Sequence, residues 1–156
     1  MQKLPHTRSC FVCGESNPLG LRLRMETDGQ LVHVHFTPRL EHIGFKQVVH
    51  GGLLATVLDE IMVWACAVQT RQFAFCAEMN VRYLQPVRPG ETLHGIAELV
   101  ENRRNKIFET KSELRKSDGV VVVTATGKYM PIKGEQPGDM LADLVPDSEA
   151  FQLKEP

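Results

Sequence analysis

Two carboxylates, Asp59 and Glu60, sit in the middle of the most apolar stretch of this chain, "VVHGGLLATVLDEIMVWACAV" (residues 48–68). Moving an ionised carboxylate out of water is costly, so an acid among such neighbours either does chemistry or ties down an adjacent segment. On a helix Asp59 shares a face with Ala55, Met62 and Cys66, a setting that suits a working base or nucleophile. Glu60 points about 100° away, toward a sheet edge or a partner chain, and is a reserve candidate for the acid.

The same stretch opens with His50-Gly51-Gly52. The first N–H groups of a helix have no intrahelical acceptor, and glycines let another group come close to them. Such a start either receives a carbonyl oxygen as it becomes an oxyanion or is a tight loop-to-helix turn. His50 would orient Gly51, bond a loop or touch substrate. Gly51 and Asp59 are eight positions apart, which is about 12 Å along one helix. One scissile carbonyl cannot touch both. If they cooperate, the glycine comes from one subunit and the aspartate from another, with two helices meeting antiparallel across a two-fold axis.

The element that must hold these groups is a helix from about Gly51 to Gln69, apolar round nearly its whole circumference and therefore enclosed on several sides. Before it, Leu21, Leu23 and Met25, then Val32, Val34 and Phe36, alternate with polar partners around Asp28-Gly29, which predicts a hairpin with one buried face. Residues 38–49 read as loop. After it come four strand-like segments, about Phe73–Gln85, Thr92–Asn102, Ile107–Lys116 and Val120–Met130. In the third, Glu109, Lys111, Glu113 and Arg115 alternate with Phe108, Thr110, Ser112 and Leu114, so one side faces water. The expectation is an α+β domain: an antiparallel sheet of about six strands, ending in a four-strand meander, curled around one long central helix.

The boundaries expected are an irregular N-terminal arm (1–19), the sheet-and-helix domain (20–132) and a tail (133–156) with a short helix near Asp139–Leu144 and no chemistry. At 156 residues, 42% hydrophobic, the chain has enough material for a single core. A net charge of −1, with no long block of either sign, argues against a nucleic-acid or membrane-surface partner and for a small molecule. The first residues lack the apolar core of a signal peptide, and the run Ile61–Val68 is too short to span a bilayer, so the expected location is cytoplasmic. Four scattered cysteines read as thiols.

Cys10-x-x-Cys13, with His6 upstream, invites a metal. Structural zinc wants four ligands, no second such pair exists, and His33 and His35 would contribute only if the arm folded onto their strand. The expectation is therefore no metal, and a plain turn held by Pro18 and Gly20.

His50-Gly51-Gly52, six residues, then Asp59, followed by "AEMNVRYLQPVRPGETL" (77–93), resembles the hotdog-fold acyl-CoA thioesterases of the phenylacetic-acid-degradation type. "CFVCGESNPLGLRL" (10–23) is similar to a subgroup close to the mammalian thioesterase-superfamily members, and the likeness spans roughly residues 10–132. The resemblance implies thioester hydrolysis, with Asp59 as nucleophile or general base and the Gly51 N–H polarising the carbonyl. It implies a homodimer or dimer of dimers with sheets joined edge to edge, and coenzyme A as part of the substrate with no cofactor required. For coenzyme A it suggests Gly52, Tyr83 (with Pro86), Arg88, Arg104, Asn105 and Lys106; a solvated hairpin turn is the alternative for the cations. The chain departs from the pattern twice. Gly44 stands where relatives often have Asn, with His42 nearby to fill part of that role, and Cys76 stands near the place of a Ser or Thr. Those losses keep a non-catalytic acyl-CoA binder open as the alternative, with an enoyl-thioester hydratase behind it.

Overall fold

The computed structural model describes residues 1–133, 136–147 and 149–153. In chain order the strands before the main helix are β1 (Gln2–Lys3), β2 (Met25–Thr27), β3 (Leu31–Phe36), β4 (Ile43–Phe45) and β5 (Val48–Val49). Helix α1 (Gly51–Thr70) follows, then β6 (Ala74–Tyr83), β7 (Leu93–Arg103), β8 (Ile107–Lys116), β9 (Val121–Pro131) and a short helix α2 (Gln136–Ala142). Seven strands form one antiparallel sheet in the order β1-β2-β3-β7-β8-β9-β6, and β4 and β5 pair separately. The α+β expectation of one sheet wrapped around one helix holds.

Helix α1 is long and apolar enough to cross a membrane by length and composition, beyond what the run Ile61–Val68 alone suggests. Here it is a core helix. Leu54, Val57, Leu58, Ile61, Met62, Trp64, Ala65 and Cys66 are all buried, against the inward residues of the sheet such as Val34, Leu93, Phe108, Leu114, Val123 and Tyr129. β8 alternates as its sequence requires: Phe108, Thr110, Ser112 and Leu114 are buried while Glu109, Lys111, Glu113 and Arg115 face outward.

Three expectations are corrected. The last four strands are not a meander: β7, β8 and β9 are, but β6 pairs with β9 at the far edge, Ala74 opposite Pro131 through Tyr83 opposite Val123. Alternation shows that a strand has a core face, not which neighbour it takes. The first hairpin starts at Met25 rather than Leu21, because Arg22 adopts a left-handed φ of 55° and the N–H groups of Leu21 and Leu23 go to Phe11 and Val12 of the arm. The segment 38–49 is ordered by a single 3-10 turn, Leu40–His42, and by the β4–β5 ribbon.

The arm is clamped by the tail. Thr7 bridges Leu144, the Arg8 guanidinium donates to the carbonyls of Ala142 and Leu144, and Ser9 donates to the Asp143 carboxylate. Phe151 packs under the Arg71 guanidinium, 4.1 Å from its ring centre, and its N–H reaches Lys3. Helix α2 begins three residues before the expected Asp139, and the expected tail lies partly outside the described residues.

Candidate active site

The start of α1 is built by His50. Its backbone is extended, and its Nδ1 accepts from the Gly52 N–H at 2.9 Å, which caps the helix. The His50 N–H donates to the His42 carbonyl at 2.9 Å. A methyl group at residue 44 would lie 2.9 Å from His50 Cδ2, so Gly44 is the space into which the cap packs. His42 is occupied locally: its Nδ1 accepts from the Arg39 N–H, and its ring tilts against Phe36.

With the Gly52 N–H taken by His50, the free donor of this first turn is the Gly51 N–H, which has no acceptor among the described residues. The Gly51 carbonyl accepts from the Tyr83 hydroxyl at 2.8 Å, and a methyl group at residue 51 would lie 3.1 Å from the Tyr83 ring. A groove beside this turn is lined by Val49, Leu54, Tyr83, Pro86 and Val87.

Midway along α1, Asp59 Oδ1 accepts from the Tyr129 hydroxyl at 2.7 Å. Tyr129 is fully buried on the inward face of β9. Burial first, and the Asp59 carboxylate second, raise its phenol well above the usual range, so it stays a donor. A methyl group at residue 127 would come within 2.5 Å of the Tyr129 ring; Gly127 makes the room that aims the phenol at Asp59. Cys76 of β6 abuts both groups, and burial together with the Asp59 charge pushes its thiol upward. It is therefore a thiol rather than a thiolate, beside the carboxylate.

Glu60 does not face a sheet edge or a partner, as its direction suggested. It points at the N-terminal arm, accepting from Trp64 Nε1 at 3.1 Å and, at 3.9 Å, from the Cys10 thiol. Burial, with the nearby Cys10 sulfur adding to it, pushes Glu60 up to about 7. The two neighbouring sulfurs move each other in opposite directions: Cys13 above all lowers the Cys10 thiol, and Cys10, with burial, raises that of Cys13.

The residues suggested for coenzyme A fall at two ends of the molecule. Arg88 is exposed close to the helix start, where Val87 accepts from the Val49 N–H. Arg104, Asn105 and Lys106 form the turn after β7, held by left-handed backbone at Arg104 and Asn105 and by paired hydrogen bonds between Asn102 and Asn105. The length of β7 separates that turn from Arg88, roughly 30 Å for a strand of this size. One chain does not bring them together.

A sequence profile described as the thioesterase superfamily matches residues 46–123, half of the chain and all of the segment that carries His50, Gly51, Asp59, Cys76 and Tyr83. The chain belongs to the thioesterase superfamily. A provisionally assigned esterase of Caenorhabditis elegans is 33% identical over 100 residues, 63% of this chain and 58% of that protein's length, so the match spans little more than half of the relative. Among solved structures, the Escherichia coli PaaI protein from the phenylacetic acid degradation operon is similar with a TM-score of 0.67 and 22% identity, over 73% of this chain and 82% of that one. A Streptococcus mutans protein solved with bound acetyl-CoA has a TM-score of 0.65 and 19% identity, over 70% of this chain and 88% of that one. These likenesses identify the fold of this thioesterase-superfamily chain as the hotdog, with α1 the enclosed helix.

In this superfamily member, the reading from sequence missed Tyr129 and the destination of Glu60. A signal for Tyr129 was present: a hydroxyl-bearing aromatic on the inward alternation Val123, Ala125, Gly127, Tyr129, two residues after the only glycine of that strand. Nothing in the sequence tied Glu60 to Cys10, fifty positions earlier.

Proposed function

We propose that this protein hydrolyses acyl-CoA thioesters, with Asp59 of one protomer as base or nucleophile and the Gly51 N–H of another as the oxyanion donor. The observation that carries this reading is the Asp59 carboxylate: one oxygen is fixed by a buried phenol, and the only other donor beside the carboxylate among the described residues is the weak Cys76 thiol. An oriented carboxylate with so little competing donation can take a proton from water, or itself attack the thioester carbonyl. In the base route the carbon–sulfur bond then breaks and the coenzyme A thiolate leaves, taking back the proton that Asp59 removed from water; in the nucleophilic route the thiolate is protonated by solvent, and a water then hydrolyses the acyl-aspartate, releasing the acid and restoring the carboxylate. The developing oxyanion needs a donor, and the Gly51 N–H, at the positive end of a twenty-residue helix, supplies one.

Because Gly51 and Asp59 are about 12 Å apart on one helix, the complete site takes two chains. Strand β6 is an open sheet edge beside α1, with Phe75 and Tyr83 exposed, and supports an edge-to-edge homodimer or a dimer of dimers. Arg88 lies on the Gly51 side and is assigned to the coenzyme A phosphates, with Tyr83 and Pro86 along the pantetheine arm. Arg104, Asn105 and Lys106 would reach that ligand only in a site shared with another protomer. Gly44 has a packing role of its own, since it makes room for the His50 cap.

The test is steady-state release of free coenzyme A from a panel of acyl-CoAs. Asp59→Asn is expected to lower kcat by roughly 10²–10⁴-fold with little change in KM. Equal turnover by the variant ends this assignment, and tight binding of every chain length with no turnover replaces it with the binder.

A further inference from the structure

The cluster that hydrolysis does not use lies on the other side of α1. Residues 10–14 turn tightly: the Gly14 N–H donates to the Cys10 carbonyl at 2.9 Å, and a methyl group at Gly14 would lie 2.3 Å from that oxygen, so only glycine closes the turn. The Val12 N–H donates to Cys10 Sγ at 3.2 Å, and the Cys10 N–H to Thr7 Oγ1 at 3.1 Å. This knuckle points Cys13, which is buried, and Cys10, which is half-buried, at the helix. There Glu60 meets them: one donor atom from each of Cys10, Cys13 and Glu60 lies within 4.8 Å of the other two.

We propose that Cys10, Cys13 and Glu60 form a binding site for a thiophilic divalent cation, zinc above all, with the fourth position filled by solvent. A tetrahedral zinc about 2.3 Å from sulfur and about 2.1 Å from a carboxylate oxygen sets those two donors about 3.6 Å apart. Cys10 Sγ and Glu60 Oε2 are 3.9 Å apart. The second shell is built as well. Trp64 Nε1 fixes the other Glu60 oxygen at 3.1 Å, as an outer partner orients a ligating carboxylate. No Lys or Arg pairs with Glu60 among the described residues, and Arg24, which reaches the knuckle, spends its guanidinium on the carbonyls of Cys13 and Leu23. A buried carboxylate facing two sulfurs without a cation is an unfavourable arrangement, which a divalent ion reverses. Two sulfurs and one carboxylate favour zinc over magnesium or calcium, which take all-oxygen sets.

The expectation of no metal rested on a missing second cysteine pair and on histidines in the wrong place. His33 and His35 indeed stack with His94 on the sheet, away from the arm. The third ligand is Glu60, next to Asp59 in sequence and about 100° round the helix from it. The ion would thus staple the arm to the element that carries the candidate base, which makes its role structural. It does not depend on the thioesterase reading.

The test uses the full chain, purified under reducing conditions, equilibrated with zinc and dialysed against metal-free buffer. Elemental analysis is expected to find about one zinc per chain, and cobalt substitution a thiolate-to-cobalt charge-transfer band. Cys10→Ser and Cys13→Ser should reduce zinc to background and abolish the band, while Cys66→Ala keeps both. Glu60→Gln, which retains an acceptor for Trp64, should weaken zinc at least about tenfold against a chromophoric chelator. The melting temperature of the wild type should rise with zinc, and that of the Cys10→Ser/Cys13→Ser double variant should not. A folded, reduced wild type that retains no zinc overturns the proposal, as does a double variant that still holds one equivalent.

Discussion

The contact that would orient the proposed base is one hydrogen bond, from the Tyr129 hydroxyl to Asp59 Oδ1. A hydrogen bond to a charged group contributes about 1.5–3 kcal/mol, so Tyr129→Phe is expected to lower kcat/KM by roughly 10- to 150-fold. Far-ultraviolet circular dichroism should stay unchanged, because the ring still fills its place. An unaltered kcat/KM would show that the phenol is only packing. Cys76 stands beside the same pair, and a hydroxyl is the stronger hydrogen-bonding group. Cys76→Ser is accordingly expected to keep or raise kcat, by no more than roughly tenfold, in the acyl-CoA assay. A loss of activity would mean that the thiol itself is needed.

Helix α1 carries both acids, Asp59 and Glu60, and each has its own surroundings. Its start depends on the His50 cap, so His50→Ala should cost about 1 kcal/mol in chemical denaturation, since Gly52 then loses its acceptor. Glu60 links the same helix to pH. Its value in the folded chain, about 7, lies above its ordinary 4.5, so folding favours the protonated acid. That contribution is fully present below pH 4.5 and is lost as the pH rises through 7. In chelator-treated protein, stability should fall across this window by about 3 kcal/mol. Glu60→Gln should flatten the slope. A wild-type curve already flat from pH 4.5 to 7 would remove Glu60 from the account.

At the scale of the whole molecule, the proposed joint site needs a second chain because of the 12 Å offset along α1, about eight residue rises, and the open edge of β6 is where one could pair. Light scattering should give a mass of at least twice the 17.5 kDa chain. Subunit complementation is the sharper measurement. Gly51 is the first helical residue, where the proline backbone fits; Gly51→Pro removes the N–H, and its ring also presses on Tyr83, so it should cost at least roughly 10²–10³-fold in kcat. Refolded together with Asp59→Asn, it should recover about one quarter of wild-type activity, since half the dimers are mixed and one of their two sites is intact. No recovery in verified mixed dimers would place both groups in one chain's site, or leave one of them idle.

Whatever depends on short-range periodicity was fixed by the residues themselves. The three-to-four spacing of Leu54, Val57, Leu58 and Ile61, the two-residue alternation of β8 and the His50-Gly51-Gly52 cap before Asp59 each report a local preference, and each element formed where that preference put it. The helix rise alone separated Gly51 from Asp59 and required two chains for a joint site. Partnerships across long separations were not written locally. Tyr129 reaches Asp59 over seventy positions, Glu60 meets Cys10 over fifty, and β6 skips β7 and β8 to pair with β9. Alternation marks which face of a strand is buried and leaves its neighbour open, and a helical wheel gives a direction without saying what lies there. Only the packed chain, with its arm clamped by the tail and its sheet closed around α1, decided those contacts, because they arise from burying many surfaces at once.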